Sequence, residues 1–527
     1  MKYFSLRKFL WGGALLTSLG SCDSFLDTNT NPNDPTAVTP ELILPSAQNI
    51  TLDRVGSDLN ILGNIWVGNW AQAGDYLFYV PQQQYNLTPL SYDPVWTDLY
   101  AGSLQDLISL EARAQANGQK NFVAIAKIMQ AYNFQILVDG WGNVPYTDAF
   151  RGVANLTPTY DNAQDVYDNL IVLLNDGIAS IDNASQSPGA SDVIFRGDMN
   201  KWRRFANTLK LRIYIRESQA RESVARAGIA SMMAANAEFL GSGEDVAGNP
   251  GYLNTAGKLN PLYFDIGLTT AGAPTSSFQA TRGNVLAVNY LIRSGDTLRL
   301  KRLYGPRGYT PNGTVVSDNV SNFYGVASGV NSGVADYNSS RLSTVGPAII
   351  KSTAQNGFAT PVYLMNASES FFLRAEAVQR GYMAGDAKAL YNAGIEESFR
   401  QLGLTVTAAR AYYGRTVANP GPLRLYGLPA SADPLDLKIV DPNFDTTPNK
   451  IEAIITQKWI SLNGYNGFEA WSEFRRTGYP AGNYLSLNRV NDQFPVRIPY
   501  PQSELNNNPN VPKDATITGP RIFWDVN

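Results

Sequence analysis

The sequence contains no histidine, and its 527 residues include one cysteine, Cys22. Without histidine, this chain alone cannot build a Ser-His-Asp or Cys-His nucleophile system or an imidazole metal site. A lone cysteine also excludes disulfides within the chain and cysteine zinc clusters. Most common catalytic mechanisms are therefore excluded, and the sequence predicts no catalytic residue, no metal site and no cofactor.

Charge is scarce as well. Charged residues make up 17% of the chain, and 42 Lys and Arg against 45 Asp and Glu leave a net charge of −3. A chain without excess basic charge is a poor match for a phosphate backbone, so nucleic acid is excluded as a partner. Apolar residues make up 44%, which is typical of a globular protein, and aromatic residues are plentiful at 11%.

The N-terminus has the pattern of a lipoprotein signal. Lys2, Arg7 and Lys8 precede an apolar run of about eleven residues, whereas a membrane-spanning helix needs roughly 20. Leu19-Gly20-Ser21-Cys22 then resembles the bacterial lipobox, in which the chain is cleaved before the cysteine and the cysteine is lipidated. We therefore predict a signal peptide over residues 1–21 and a lipid anchor on Cys22. An ordinary secretory signal with a chance cysteine is the alternative.

The segment after the cysteine predicts a tether. Residues 22–40 are rich in Asn, Asp, Thr and Pro, which favours extended chain. Each buried methylene of an acyl chain contributes roughly 0.8 kcal/mol, and a second chain makes the attachment stable. No later stretch of the sequence is long and apolar enough to span a bilayer. We expect residues 41–527 to form a single body that its lipid ties to a membrane.

Apolar residues recur near every 3.6 positions in several later stretches, which predicts helices. These stretches are 100–112, 122–136, 163–181, 201–217, 367–380, 386–402 and 450–463. The two predicted helices over 367–380 and 386–402 together have nearly the length of a tetratricopeptide unit. Such helix pairs stack because neither helix buries its apolar face alone. The expected fold is mainly α, with tetratricopeptide-like helix pairs over about 97–240 and 360–480. Unrelated helical hairpins are the alternative.

One of these predicted helices is strongly basic. Arg203, Arg204, Lys210 and Arg212 fall within the stretch 201–217. Residues three or four apart share a face of a helix, so the spacing places these cations together. The sequence predicts a basic outer face on this helix.

Two regions break the helical pattern: residues 64–96, and a loop-rich insert over about 241–347 that is rich in Gly, Ser, Asn and Thr. A tract of this length without regular structure is usually functional or disordered. Its many aromatic residues argue against disorder. We expect both regions to form irregular surface carried by the helical scaffold.

The aromatic residues of these regions indicate a sugar-binding surface. A flat indole or phenol ring attracts the apolar face of a sugar ring, and neutral polar side chains orient its hydroxyls. The predicted ligand-binding residues are Trp66, Trp70, Gln72, Asp75, Tyr76, Tyr79, Tyr85, Phe323 and Tyr324. Taken one at a time, each aromatic residue is better explained by packing within the scaffold. For the group as a whole, we expect at least two exposed rings.

Several motifs occur in an order that resembles a known family. They are the lipobox with Phe25-Leu26-Asp27, the segment Asp139–Ala149 (DGWGNVPYTDA), Lys201-Trp202 with the following helix, Phe371–Ala377 (FFLRAEA), Lys458–Leu462 followed by Glu469-Ala470-Trp471 and Arg475–Gly478, and Pro495–Tyr500. Together they cover nearly the whole chain. The sequence is identified as resembling the SusD/RagB family of nutrient-binding lipoproteins of Bacteroidetes.

The resemblance carries implications that the residues alone do not. It implies a stack of tetratricopeptide-like helix pairs that supports a loop-rich second part. It also implies a position on the outer face of the outer membrane, as a lid over a SusC-type TonB-dependent transporter. Members bind oligosaccharides or, in the RagB branch, peptides, and they lack catalytic activity. The ligand surface of related proteins matches residues 64–85 and about 290–340 here.

Three functions therefore stand as hypotheses. The first is a lipoprotein that captures a glycan and hands it to the transporter. The second is a peptide-binding, RagB-like member of the same family. The third is a lipid-anchored glycoside hydrolase that uses Glu469 and Glu473, which are four residues apart on one helix face. The competing interpretation of these two carboxylates is an ion-pair network with Arg475 and Arg476, which we favour.

Overall fold

The computed structural model describes residues 38–330, 333, 335–417 and 437–527. The predicted signal peptide, the lipidation site Cys22 and most of the predicted tether lie outside these residues. The tether was expected to extend to residue 40, where the structure already begins a helix.

The described chain starts with a long helical rod. Helix α1 (Pro40–Arg54) continues through a π-helical turn, Val55–Leu59, into α2 (Asn60–Trp66). Pro40 occupies the first turn, where its missing N–H costs no hydrogen bond. Two short helices follow, α3 (Val80–Gln84) and α4 (Asp93–Thr97), and then a second π-helical segment, Asp98–Leu104.

The first half of the scaffold is built from consecutive helices that pack against each other. They are α5 (Gln105–Ala116), α6 (Lys120–Trp141), α7 (Ala163–Ser180), α8 (Met199–Arg216) and α9 (Glu222–Ala234). Side chains cap the helix starts: Asn162 accepts from the Gln164 amide, and Asp198 accepts from the amides of Asn200 and Lys201. Helix α6 ends at Gly142, whose φ of +85° requires glycine.

The region predicted as a loop-rich insert also contains four short helices. They are α10 (Pro261–Ile266), α11 (Ser276–Ala280), α12 (Val285–Arg293) and α13 (Thr297–Leu303). Each begins with a side-chain cap from Asn260, Thr275, Asn284 or Asp296. Sequence periodicity did not predict them because each is too short to show a clear apolar stripe.

Two small antiparallel sheets join this region to the scaffold. Their strands are β1 (Trp70–Gln72), β2 (Val246–Gly248), β3 (Thr281–Gly283), β4 (Tyr304–Gly305), β5 (Thr344–Val345) and β6 (Val362–Met365). The larger sheet has the order β1-β3-β5-β4, and β2 pairs with β6. In the larger sheet Trp70 lies opposite Gly283, and Arg282 lies opposite Thr344.

The second half of the scaffold is also built from helices. Its helices are α14 (Ala367–Gln379), α15 (Ala387–Gln401), α16 (Val406–Tyr413), α17 (Lys450–Leu462), α18 (Gly467–Thr477) and α19 (Gln502–Asn507). Helix α14 packs against α15 and α17, and α15 packs against α16. The prediction of a mainly α, tetratricopeptide-like fold is confirmed.

The N-terminal rod and helix α18 touch through their backbones. An added Cβ at Gly63 would lie 2.0 Å from the carbonyl carbon of Gly467. Asn60 and Asn64 secure this crossing: the Gly467 amide donates to Asn60 Oδ1 at 2.8 Å, and the Gly464 amide donates to Asn64 Oδ1 at 3.1 Å. Glycine is needed here because no side chain fits between the two helices.

Candidate ligand-binding surface

Two loops from distant parts of the chain are joined side by side. Residues 73–79 follow β1, and residues 335–343 precede β5. The Gly74 amide donates to the Tyr337 carbonyl at 2.8 Å. The Ser339 amide and hydroxyl both donate to the Asp75 carboxylate, at 2.8 and 2.7 Å. We call residues 73–79 and 335–343 the paired loops; they bring together the two regions in which the ligand surface was expected.

The paired loops expose large apolar side chains. Leu77 is 79% exposed and Phe78 is 50% exposed. Asp75 is also exposed, and Tyr76 is half-buried with its hydroxyl donating to Gln279 of α11 at 2.7 Å. Exposed apolar side chains that lie together offer a surface on which another molecule can bury apolar area. A ring with one free face and a neighbouring carboxylate suits a sugar, which has both an apolar face and hydroxyls.

Tyr324 lies beside the paired loops. The Ser343 amide donates to the Tyr324 carbonyl at 2.8 Å, and the Tyr324 amide donates to the Ser343 hydroxyl at 3.0 Å. The Tyr324 ring is 45% exposed, and the Arg307 guanidinium lies 4.6 Å from its centroid. Arg307 holds one side of the ring through a cation–π contact. The preceding residue, Phe323, is buried.

Most of the other predicted ring platforms are buried. Trp66 donates from Nε1 to the Gln82 carbonyl at 3.0 Å, and its ring packs edge-on against Trp471 at a centroid distance of 4.7 Å. Trp70 is fully buried, and Tyr79 and Tyr85 are also buried. None of these four rings offers a face to solvent, so the stacking role predicted for them does not fit the structure. Their positions in the core are set by distant partners such as Trp471.

Gln72, also predicted to contact ligand, is buried and instead shapes the first loop. Its Oε1 accepts from the backbone amides of Phe78 and Tyr79, the latter at 2.6 Å. Its Nε2 donates to the Tyr76 carbonyl at 2.5 Å. The Tyr79 hydroxyl reaches Thr281 of β3 at 3.0 Å. Gln72 and Tyr79 therefore position Leu77 and Phe78 from below, while Asp75, Tyr76 and Tyr324 are the predicted residues that reach solvent.

Sequence reasoning missed Leu77, Phe78 and Arg307 as candidate site residues. A signal for the first two was present in the run Tyr76-Leu77-Phe78-Tyr79, which directly follows Gly74-Asp75. Such a run of large apolar residues cannot be buried entirely at the turn of a loop, so some of it must face solvent. The local sequence gives no comparable signal for Arg307, because its contact with the Tyr324 ring forms only in the folded protein.

The carboxylates considered for hydrolysis belong to a buried ion-pair network. Glu469 accepts from Lys458 Nζ at 2.8 Å, and Glu473 accepts from Arg216 at 2.8 Å and from Arg476 at 2.5 Å. Burial alone would raise the pKa of Glu473, but these cations outweigh it and hold the pKa well below its ordinary value. The pKa of Glu469 is lowered in the same way.

This charge state does not suit hydrolysis. A glycosidase needs a general acid with a raised pKa that is open to substrate. The two carboxylates are buried at 4% and 3% exposure. The ion-pair interpretation holds for Arg476, but not for Arg475, which donates to the Val496 carbonyl at 2.9 Å and lies 3.5 Å from the centroid of the Trp471 ring.

Glu369 belongs to the same network, but its carboxylate has weaker contacts with cations than those of Glu469 and Glu473. Both of its carboxylate oxygens are buried without a hydrogen bond. The nearest cations are Lys458 Nζ at 3.4 Å and Arg212 at 3.6 Å. Burial raises the pKa of Glu369 to about 7. Arg212, expected on the outer face of its helix, therefore faces the interior of the scaffold.

Within the part of the chain that the structure describes, no helix is long and apolar enough to cross a membrane. Over the same residues, Asp, Glu and Cys side chains form no group of three or more that could hold a metal ion.

The fold and the paired loops define a class of protein, in which a tetratricopeptide-like helical scaffold carries a loop-rich part. Comparison with known proteins then places the chain within this class. Residues 32–501 match the SusD-like family model described as "Starch-binding associating with outer membrane". The protein belongs to this SusD-like family, as the sequence motifs predicted.

Solved structures share the fold along most of the chain. A chitin-binding SusD homolog from Flavobacterium johnsoniae has a TM-score of 0.72 and 24% identity, covering 93% of this chain and 99% of that chain. A SusD homolog from Bacteroides vulgatus has a TM-score of 0.71 and 23% identity, covering 90% and 92%. A SusD-like protein from Bacteroides thetaiotaomicron has a TM-score of 0.71 and 24% identity, covering 93% and 99%. No curated protein matches the sequence.

Proposed function

We propose that this protein is a non-catalytic surface lipoprotein that captures a glycan on the paired loops and Tyr324. The observation that carries the proposal is the exposed Phe78 ring, with Leu77 beside it and Tyr324 bonded to Ser343 of the second loop, on two loops that hydrogen bonds join. The family description names starch, and the Flavobacterium johnsoniae neighbour is named as chitin-binding. Both are uncharged polysaccharides, which stack on rings without needing an ion pair.

Polar groups around these rings suit the hydroxyls of a sugar. Asp75 is exposed, and Asn338 and Ser340 are exposed on the second loop. Carboxylate, amide and hydroxyl groups orient a ligand by hydrogen bonds once a ring face holds it. The proposed site therefore combines stacking by Phe78 and Tyr324 with orientation by Asp75 and Asn338.

The proposal extends to anchoring and delivery. Cys22 would carry the lipid, the body would face the cell exterior, and the captured glycan would pass to a SusC-type TonB-dependent transporter. The outer-membrane association named in the family description supports this arrangement. We expect Cys22→Ser to move the protein from the membrane fraction to the soluble fraction, with loss of the acyl mass from the N-terminal peptide. An unmodified Cys22 in the native protein would contradict the anchor.

The binding test compares two double variants. Leu77→Ala/Phe78→Ala removes the exposed apolar pair of the first loop, and Val153→Ala/Leu156→Ala removes a similarly exposed pair between α6 and α7, at 95% and 77% exposure. Titration with maltooligosaccharides, chitooligosaccharides and a tripeptide panel identifies the ligand. Losing ring contacts is expected to weaken glycan affinity by about threefold to tenfold, and the control pair should leave it unchanged.

Two outcomes would contradict the proposal. Equal affinities in both double variants would remove the paired loops from the site, and binding of the peptides alone would favour a RagB-like function. Incubation with the same polysaccharides tests the absence of catalysis. Released reducing ends that disappear in Glu473→Gln, with the fold preserved by circular dichroism, would restore the hydrolase hypothesis.

A further inference from the structure

Helix α8 presents a polar stripe to a cavity on the scaffold. Residues spaced three or four apart on its outer side line this cavity: Asn200, Arg203, Asn207, Lys210 and Tyr214. The cavity has a volume of about 600 Å³ and lies between α7, α8 and α9. The basic outer face predicted for this helix is therefore present in part, and the glycan site does not use it.

A second cavity of about 600 Å³ adjoins the first. Arg204, Phe239 and Arg374 line it, together with Met233 and Met383. Ala237 and Glu238 border both cavities. We call the two adjoining cavities the basic groove. It runs from the end of α7 across α8 and α9 to α14.

Three cations in the basic groove lack a carboxylate partner. Among the described residues, Arg203, Lys210 and Arg374 have no acidic group within salt-bridge distance, although Lys210 Nζ donates to Asn175 Oδ1 at 2.6 Å. The carboxylates that border the groove lie beside Arg204 instead. Glu244 forms two hydrogen bonds with Arg204, at 2.9 and 2.6 Å, and Glu238 lies 3.7 Å from it.

The Arg374 guanidinium contacts two aromatic rings. It lies 5.3 Å from the centroid of the Phe371 ring and 5.7 Å from that of Phe239. Its Nε is buried without a hydrogen-bond partner. Burial lowers the pKa of Arg374 and of Lys210, because no acidic partner among the described residues offsets it. Arg216 and Arg476, which are fully buried, both bond carboxylates, whereas Arg374 bonds none among the described residues.

The shape and lining of the basic groove select the kind of ligand. The cations of the basic groove lie in a concave channel between helices, so a flat layer of lipid headgroups does not reach them. A glycan would need a free ring face, and Arg374 already covers Phe239. Flexible methionines line the groove and adapt to different side chains, and the amides of Asn200 and Asn236 can bond a peptide backbone. We propose that the basic groove binds an acidic peptide segment of a partner protein, whose carboxylates pair with Arg203, Lys210 and Arg374.

The test uses the purified full-length protein and a fluorescent probe. The probe is a decapeptide of alternating Glu and Ser, and the matched probe has Gln in place of Glu. The groove variant is Arg203→Gln/Lys210→Gln/Arg374→Gln. The control variant, Lys258→Gln/Lys351→Gln/Lys513→Gln, removes three other cations that have no carboxylate partner in the described chain. Fluorescence anisotropy at low salt reports binding, since exposed charge pairs weaken as salt rises.

The Glu probe is expected to bind the native protein and the control variant with similar affinity. The groove variant should bind at least about tenfold more weakly, the effect of losing three charge pairs of modest strength. Lys210→Gln alone is expected to weaken binding by about twofold and guards against misfolding of the triple variant. Equal losses in both triple variants, or binding of the Gln probe as tight as that of the Glu probe, would overturn the proposal. Groove-dependent binding of anionic vesicles without binding of the Glu probe would overturn it as well.

Discussion

The scaffold interior and the paired loops use the same residue types in opposite ways. In the interior, Arg216 and Arg476 are fully buried and bonded to carboxylates, and Trp66 packs edge-on against Trp471. On the paired loops, Asp336 and Arg341 form an ion pair with more than half of each side chain exposed, and the Phe78 ring faces solvent. The interior contacts hold the fold together, whereas the loop side chains leave apolar and charged groups at the surface. Residue type therefore does not reveal role here, but burial does.

The largest expected effect comes from breaking the interior network. Arg216→Met removes one of the cations that bond Glu469 and Glu473, and both carboxylates are buried. Removing one member of a buried ion pair costs about 3–5 kcal/mol, because the remaining charge is uncompensated. Arg341→Met on the paired loops is the matched control, with an expected cost below about 1 kcal/mol. Urea unfolding measures both, and equal losses would erase the contrast between the two regions.

The contact between the rod and α18 is the next most sensitive point. Gly63→Ala forces a methyl group against the backbone of Gly467, at a cost of about 3 kcal/mol. Gly140→Ala, near the end of α6, is the control, since an added Cβ there would lie 3.6 Å or more from its neighbours. Alanine also favours a helix over glycine by about 1 kcal/mol. A Gly63→Ala protein as stable as the native protein would show that the rod can move away.

Glu369 makes the stability of the scaffold interior depend on pH. Its pKa is raised to about 7 by burial, so the folded state favours the protonated acid. This contribution to stability is complete below the unfolded pKa of 4.5 and is lost as the pH rises through 7. Glu369→Gln mimics the protonated acid at every pH. The free energy of unfolding of this variant should therefore rise, relative to that of the native protein, by on the order of 2–3 kcal/mol between pH 4.5 and pH 8.

Paired unfolding measurements at several pH values test this effect. A constant difference between Glu369→Gln and the native protein from pH 4.5 to pH 8 would contradict a pKa raised by burial.

The smallest expected effect concerns a buried tryptophan. Trp70→Phe keeps an aromatic ring in the core and removes an Nε1 that has no hydrogen-bond partner. We expect a modest fall in Tm and an unchanged glycan Kd, because the ring does not reach solvent. A fall in glycan affinity comparable to that of the Leu77→Ala/Phe78→Ala variant would return Trp70 to the site and weaken the distinction drawn from burial.

The scaffold was predictable because its signal is local. Helix α7 (Ala163–Ser180) carries Val166, Leu170 and Leu174 at helical spacing, and each is buried. Helix α1 was not predicted, since Pro40 and Pro45 make its start look like more of the tether. Pro40 in the first turn is compatible with a helix, whereas Pro45 lies inside the helix, so the local composition argues against the helix that forms.

The proposed ligand surface lies in the regions expected from the sequence, but most of the residues named for it are buried. Residues 64–85 and about 290–340 were expected to share the surface, and Asp75 and Ser339 do join them. Which ring faces outward depends on tertiary partners: Trp66 is covered by Trp471, more than four hundred positions later in the chain. Local sequence carries no trace of such a partner, so the choice between Trp66 and Phe78 needed the structure.

The crossing of the N-terminal rod with α18 bears on how the chain folds. The Asn60 side chain bonds backbone groups of Gly464 and Gly467, so the first described helices complete their packing only with residues synthesised near the end. Contacts of such long sequence separation slow folding, because the loop between them must close first. Helix α1 packs against residues 98–141, which follow it closely, but the face of α2 that packs against α18 stays uncovered until then, and an unfinished chain is prone to aggregate. We therefore expect the nascent N-terminal segment to need protection from aggregation in the cell until α18 has been synthesised.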